Sequence, residues 1–146
     1  MKISGDRELA RALDVLGDKA NQIVKPAVNA GLTPINKAAK RNVPTDMGLL
    51  KRSIGKLVKV YKRSGVIYGA VGARTSPQFS APDAAQGRVR IPKNYAHLVE
   101  LGTIDQPARP FLRPALDANR TTAFGIVKTK TIQGIERRAA REGRKR

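Results

Sequence analysis

The chain has 146 residues, 40% of them hydrophobic and 27% charged, a size that fits one domain with a modest core. It has no cysteine and one histidine, His97, which excludes a thiolate nucleophile, a zinc cluster and any triad relying on two histidines. Its 29 Lys and Arg against 11 Asp and Glu give a formal charge of +18, so nucleic acid or acidic proteins are natural partners, a solvated basic face being the plainer reading.

The excess charge is uneven, +3 over residues 1–50, +8 over 51–100 and +7 over 101–146. No run approaches the ~18 apolar residues of a membrane span. Asp6, Arg7 and Glu8 stand where a signal peptide needs an apolar stretch. No membrane association is expected, and action in a cytoplasm or after release from one.

From Leu9, the positions Leu13, Leu16, Ala20, Ile23, Ala27, Gly31, Ile35 and Ala38 recur in steps of three and four, predicting a long N-terminal helical region. Pro26 predicts a kink or two helices meeting near Lys25, with Thr33 and Pro34 as a further point of restart. The region should end near Asn42, because Pro44 disfavours helix in the residue before it. VPTDMGLLKRSI, residues 43–54, then reads as a connector, with Asp46 placed to cap a short turn and Gly48 to take a conformation that a side chain would hinder.

GKLVKVYK and VIYGAVG are rich in branched and aromatic residues and predict two antiparallel strands. Arg63, Ser64 and Gly65 are a short enough link for a hairpin. Residues 73–90 lack either periodicity and read as an exposed loop, with RVRIP at its end a candidate for a further short strand. NYAHLVELG puts Tyr95, Leu98 and Val99 on one helical face, and Gly102 stands where that helix would stop. From Pro114 on, Leu116, Ala123, Val127 and Ile135 mark a final helix with Arg120, Lys128 and Arg138 on its polar face, and residues 140–146 read as a basic, flexible tail. The architecture implied is a single α+β domain over residues 1–146, a small antiparallel sheet of three or four strands packed by a long N-terminal helix and a C-terminal helix.

Little in the chain points to catalysis. YGAVGAR offers only Gly69 and Gly72, inside or just after a strand, where a phosphate cradle needs a strand-to-helix turn and a lysine. His97 and Glu100 are three apart without a nucleophile, so a solvated pair or a capping interaction is the simpler reading. Asp83, Glu100, Asp105 and Asp117 share no motif. No enzymatic activity, cofactor or metal is expected. With three Tyr, three Phe and no Trp there is little to stack on bases, and any nucleic-acid contact would be to phosphates and independent of sequence.

Three stretches together add a resemblance. VPTDMGLLKRSI at 43–54, YAHLVELGT at 95–103 and ARPFLRPAL at 108–116 resemble, in order and spacing, the motifs of tailed-phage neck and tail-completion proteins, the minor tail proteins typified by lambdoid phages. The positions concerned are Pro44, Asp46, Gly48, Leu50, Ser53 and Ile54, then Tyr95, Ala96, Glu100, Gly102 and Thr103, then Pro110, Phe111, Leu112, Pro114 and Ala115. Met47 departs from the pattern, which usually has Thr before the glycine. The likeness spans roughly the middle half of the chain and leaves out the 73–88 loop and the basic tail.

The resemblance implies a non-enzymatic virion subunit, assembled in host cytoplasm. It would form a ring at the head-tail junction that joins connector, tail terminator or tail tube proteins while double-stranded DNA passes through. Six copies would match the tail tube and twelve the portal, six being the expectation. Asp46, Gly48, Glu100, Gly102, Thr103, Arg109, Phe111 and Arg113 are the candidates for assembly contacts. Lys51, Arg52, Lys56, Lys59, Lys62, Arg63 and Arg74 are the candidates for electrostatic contact, with acidic neighbours favoured over DNA. The alternative is a free-standing basic protein binding nucleic acid through phosphates.

Overall fold

The computed structural model describes residues 6–62, 64–75, 81–83 and 88–143. The first element is a single helix, α1 (Asp6–Asn42), that runs without a break through Pro26 and Pro34. The expected division near Lys25 or Thr33 does not occur. An interior proline removes one helical hydrogen bond and costs about 3 kcal/mol in an isolated helix. Here the helix is held along its length by a partner, and Pro26 faces solvent, where water can reach the carbonyl it vacates.

That partner is the last helix, α4 (Leu112–Gly143). The Asn42 side-chain amide donates to the Phe111 carbonyl at 3.3 Å, and Arg138 donates to Gln22 Oε1 at 3.1 Å, so the two helices run antiparallel. Gly31 marks one close approach of the two, where a Cβ would lie 2.5 Å from Val127 Cγ2 and 2.9 Å from the Ala123 carbonyl, and Gly134 of α4 marks another, against Ile23. The predicted stripe on α1 supplies this face, with Ala27, Ile35 and Ala38 buried. The helix α4 starts two residues earlier than Pro114 and carries residues 140–143 of the expected tail. Leu116 and Ile135, expected on its core stripe, are half exposed, while Ala123 is buried.

After α1 the chain forms a one-and-a-half-turn helix, α2 (Gly48–Ser53), followed directly by β1 (Ile54–Tyr61) and β2 (Val66–Ala73). The strands pair antiparallel with Ile54 opposite Ala73 and Tyr61 opposite Val66, as the hairpin reading requires. Gly65 takes φ +66° in the turn, a left-handed conformation that favours glycine. Lys56, Val58 and Val60 turn toward α1, and Leu57, Lys59 and Tyr61 turn outward. Gly69 lets β2 press against α1, since a Cβ there would meet Val28 Cγ1 at 2.8 Å.

Among the described residues this sheet has two strands, not the three or four expected. A second, separate ladder pairs β3 (Ala81–Asp83), inside the stretch read as loop, with β4 (Arg88–Arg90), the short strand for which RVRIP is the candidate. Sequence periodicity cannot reveal a strand as short as β3, because a period of two needs more residues to show. Helix α3 (Pro92–Leu101) follows and ends at Gly102, with Tyr95, Ala96 and Val99 turned to the core and Leu98 half exposed. The core lies where the end of α1, α2, the start of β1, α3 and the start of α4 meet, built on Ile35, Ala39, Val43, Leu50, Ile54, Phe111 and Ala115.

Candidate assembly site

Six of the eight candidate assembly residues lie along the passage from Glu100 of α3 to Arg113 of α4, and Asp46 is paired to it through Arg109. Helix α3 ends when Gly102 takes φ +80° and its amide donates to the Leu98 carbonyl at 2.8 Å. A side chain would be excluded there, since a Cβ would sit 2.7 Å from the Ala108 amide nitrogen. The chain then turns tightly. Thr103 donates its amide to the Gln106 carbonyl at 2.9 Å, and the Gln106 amide donates in return to Thr103 Oγ1 at 3.1 Å. The Arg109 amide donates to the Val99 carbonyl at 2.8 Å and fastens the far side of the loop to α3.

The start of α4 is then accounted for donor by donor. Helix termini leave their first amides without helical partners. Glu100 Oε2 accepts from the Phe111 amide at 2.8 Å and the Leu112 amide at 2.9 Å, and Oε1 accepts from Arg113 at 2.9 Å. The next residue, Pro114, has no amide hydrogen to satisfy. One carboxylate on α3 therefore caps α4 from a distance and sits at the positive end of its dipole. Partial burial pushes the Glu100 carboxyl upward, but the amides of Leu112, Arg113 and Phe111, helped by the Arg113 charge, outweigh it and hold the group below its ordinary value.

Phe111 is completely buried in the core beside this cap. The prolines on either side thus fix the backbone of a core anchor, and Arg109 and Arg113 flank it as exposed cations. Arg109 lies 3.6 Å from Asp46, an exposed ion pair that links the α1–α2 connector to the loop. Asp46 was expected to cap a turn, but α2 begins after Met47 without a side-chain cap. Gly48 has no positive φ, and nothing lies within 4 Å of where its Cβ would be, so no backbone demand for glycine appears at that position.

The candidate cations do not form one surface. Lys51 and Arg52 are exposed on the last turn of α2, while Lys59 lies on the outer face of β1 and Lys62 in the hairpin turn. Lys56 turns inward and donates to the Asn29 carbonyl at 3.1 Å and to Thr33 Oγ1 at 3.0 Å, close to Pro34 in α1. The Arg74 side chain lies against Gly55, and Arg63 falls outside the described residues.

Two hollows border this site. One of about 190 Å³ lies between Asp46, Met47, Leu98, Pro107 and Arg109. A larger one, about 410 Å³, runs between β2 and α4, with Leu32, Tyr68, Val71, Glu100, Arg113 and Leu116 among its walls. Sequence reasoning offered a capping interaction at Glu100 without the helix it caps, and missed this groove. The clamp that Glu100 forms on α4 left one trace, an acid eleven residues before Phe111, but only the fold brings the two together. Among the described residues no group of three or more His, Asp or Glu is placed to hold a metal ion, and no helix is long and apolar enough to cross a membrane.

One family model matches, HK97-gp10-like, described as "Bacteriophage HK97-gp10, putative tail-component", over residues 7–102. The matched span takes in α1, VPTDMGLLKRSI, the 73–88 stretch and the Glu100 helix, and stops short of ARPFLRPAL. No curated protein and no solved structure gives a match.

Proposed function

Because the chain belongs to the HK97 gp10-like family of bacteriophage tail components, structural parts of the virion, we propose that it is a non-enzymatic ring subunit at the head-tail junction. In this reading it joins portal-side connector proteins to the tail terminator or tail tube, assembles in host cytoplasm, and lets double-stranded DNA pass through its lumen. The observation that supports a ring best is the incomplete sheet. Among the described residues both β1 and β2 keep an unpaired edge, and Leu57, Tyr61, Val66 and Tyr68 remain about half exposed around it. Such edges and apolar surfaces invite association, and a head-to-tail interface that closes on itself covers them in every copy. Six copies match the symmetry of a tail tube, and twelve that of a portal.

Exposed Lys51, Arg52, Lys59 and Lys62 are assigned to acidic surfaces of neighbouring rings, which they would steer into register. A conduit for DNA works best when its wall grips weakly, since each neutralised phosphate adds salt-sensitive affinity. Negative-stain micrographs of the purified protein test the ring directly, with closed annular particles expected. Retention on double-stranded DNA separates the alternative. A monodisperse monomer that binds DNA tightly at low salt would replace the ring reading with that of a free-standing nucleic-acid-binding protein.

A further inference from the structure

Ile104 has full solvent exposure, 105% of its reference area, in a chain whose core is modest. It does not sit on a loose loop. The turn Thr103–Gln106 is closed by two hydrogen bonds, from the Thr103 amide to the Gln106 carbonyl and from the Gln106 amide to Thr103 Oγ1, and Arg109 ties the following strand of loop to Val99. The backbone that presents this branched apolar side chain has already lost the freedom that binding would otherwise remove. Asp105, one of only 11 acids in the chain, stands beside it and is exposed.

The same molecule carries a matching recess. The groove between β2 and α4 is lined by Leu32, Tyr68, Val71 and Leu116, and its volume of about 410 Å³ can take an isoleucine side chain. Tyr68 and Leu116 are each about half exposed, and Arg113 stands at the groove. We infer that Ile104 of one copy inserts into the β2–α4 groove of the next copy, with Asp105 set against Arg113. The occupant is a second copy because knob, recess, acid and base are all supplied by this one chain. Every copy carries +18, so copies repel overall, and an acid brought against a base at the contact offsets that repulsion where it matters. Because knob and recess are different patches, the contact is head-to-tail and repeats around a closed ring. This interface rests on the ring reading proposed above and gives it a specific geometry.

The absence of cysteine makes the test direct. In full-length protein, an Ile104→Cys/Leu116→Cys double variant treated with an oxidant or a short bismaleimide should give a ladder of covalent multimers ending at the ring size. Each single variant should stop at dimers. Ile104→Asp should keep the wild-type melting temperature, since the side chain touches nothing in its own copy, while raising the concentration for half-assembly at least about tenfold. If light scattering shows rings but the double variant yields no multimers beyond dimers, or Ile104→Asp assembles like wild type, this interface is wrong and the ring survives through another surface. A wild-type protein that stays monomeric at every concentration overturns both.

Discussion

Replacing Glu100 with Gln tests whether a single carboxylate holds the two C-terminal helices in their relative positions. The substitution keeps the shape of the side chain but removes the charge and turns one acceptor into a donor. With its remaining oxygen on the Phe111 and Leu112 amides, the new amide group would face the Arg113 N–H, donor against donor. One charge-assisted hydrogen bond is lost, two are weakened, and the favourable term at the helix N-terminus disappears, together about 2 kcal/mol at neutral pH. For a chain of this length that corresponds to a melting temperature lower by about 4–8 °C. The pH dependence gives an independent check. The folded Glu100 carboxyl lies below its ordinary value, so its contribution is complete above the unfolded carboxylate range near ~4.3 and fades as pH falls through the lower folded value. Thermal unfolding followed by circular dichroism should therefore show a gap between wild type and variant at pH 7 that narrows below about pH 4. Equal stability at pH 7, or a gap that does not change with acid, would refute the clamp.

Other substitutions follow from the packing. Phe111→Ala empties a fully buried site and should cost about 3–5 kcal/mol in urea denaturation, with ring assembly reduced as well. Gly31→Ala forces a methyl group against Val127 and the Ala123 carbonyl, and about 1–3 kcal/mol of destabilisation is expected from the same measurement. Asp46→Ala removes only an exposed ion pair with Arg109 and should change stability by less than about 1 kcal/mol, so a larger assembly defect in that variant would assign Asp46 to an interface.

Much of the element order is readable along the chain because long periodic segments and turn glycines carry their own signals. The stripe Ile23, Ala27, Gly31, Ile35 and Ala38 and the alternation in GKLVKVYK correspond to the α1 face and to β1. Pro26 and Pro34 do not divide the helix, because local backbone penalties are overruled when a long helix is held by tertiary packing against α4. Leu116 misleads. It keeps helical spacing with the buried Ala123, yet the two-stranded sheet is too narrow to cover that part of α4, leaving Leu116 half exposed beside the groove. The electrostatic candidates show a further limit. Lys56 and Lys59 read alike in sequence, but one turns inward to Asn29 and Thr33 and the other faces solvent. A capping interaction was readable at Glu100 but the helix it caps was not, since its partners lie eleven to thirteen residues away across a loop.

Native mass spectrometry of the purified full-length protein tests the central claim most directly. The account predicts a closed species at six times the 15.8 kDa subunit mass, or at twelve, that Ile104→Asp converts to monomer. A wild-type spectrum containing only monomer, from a sample that is retained on double-stranded DNA at low salt, would contradict it.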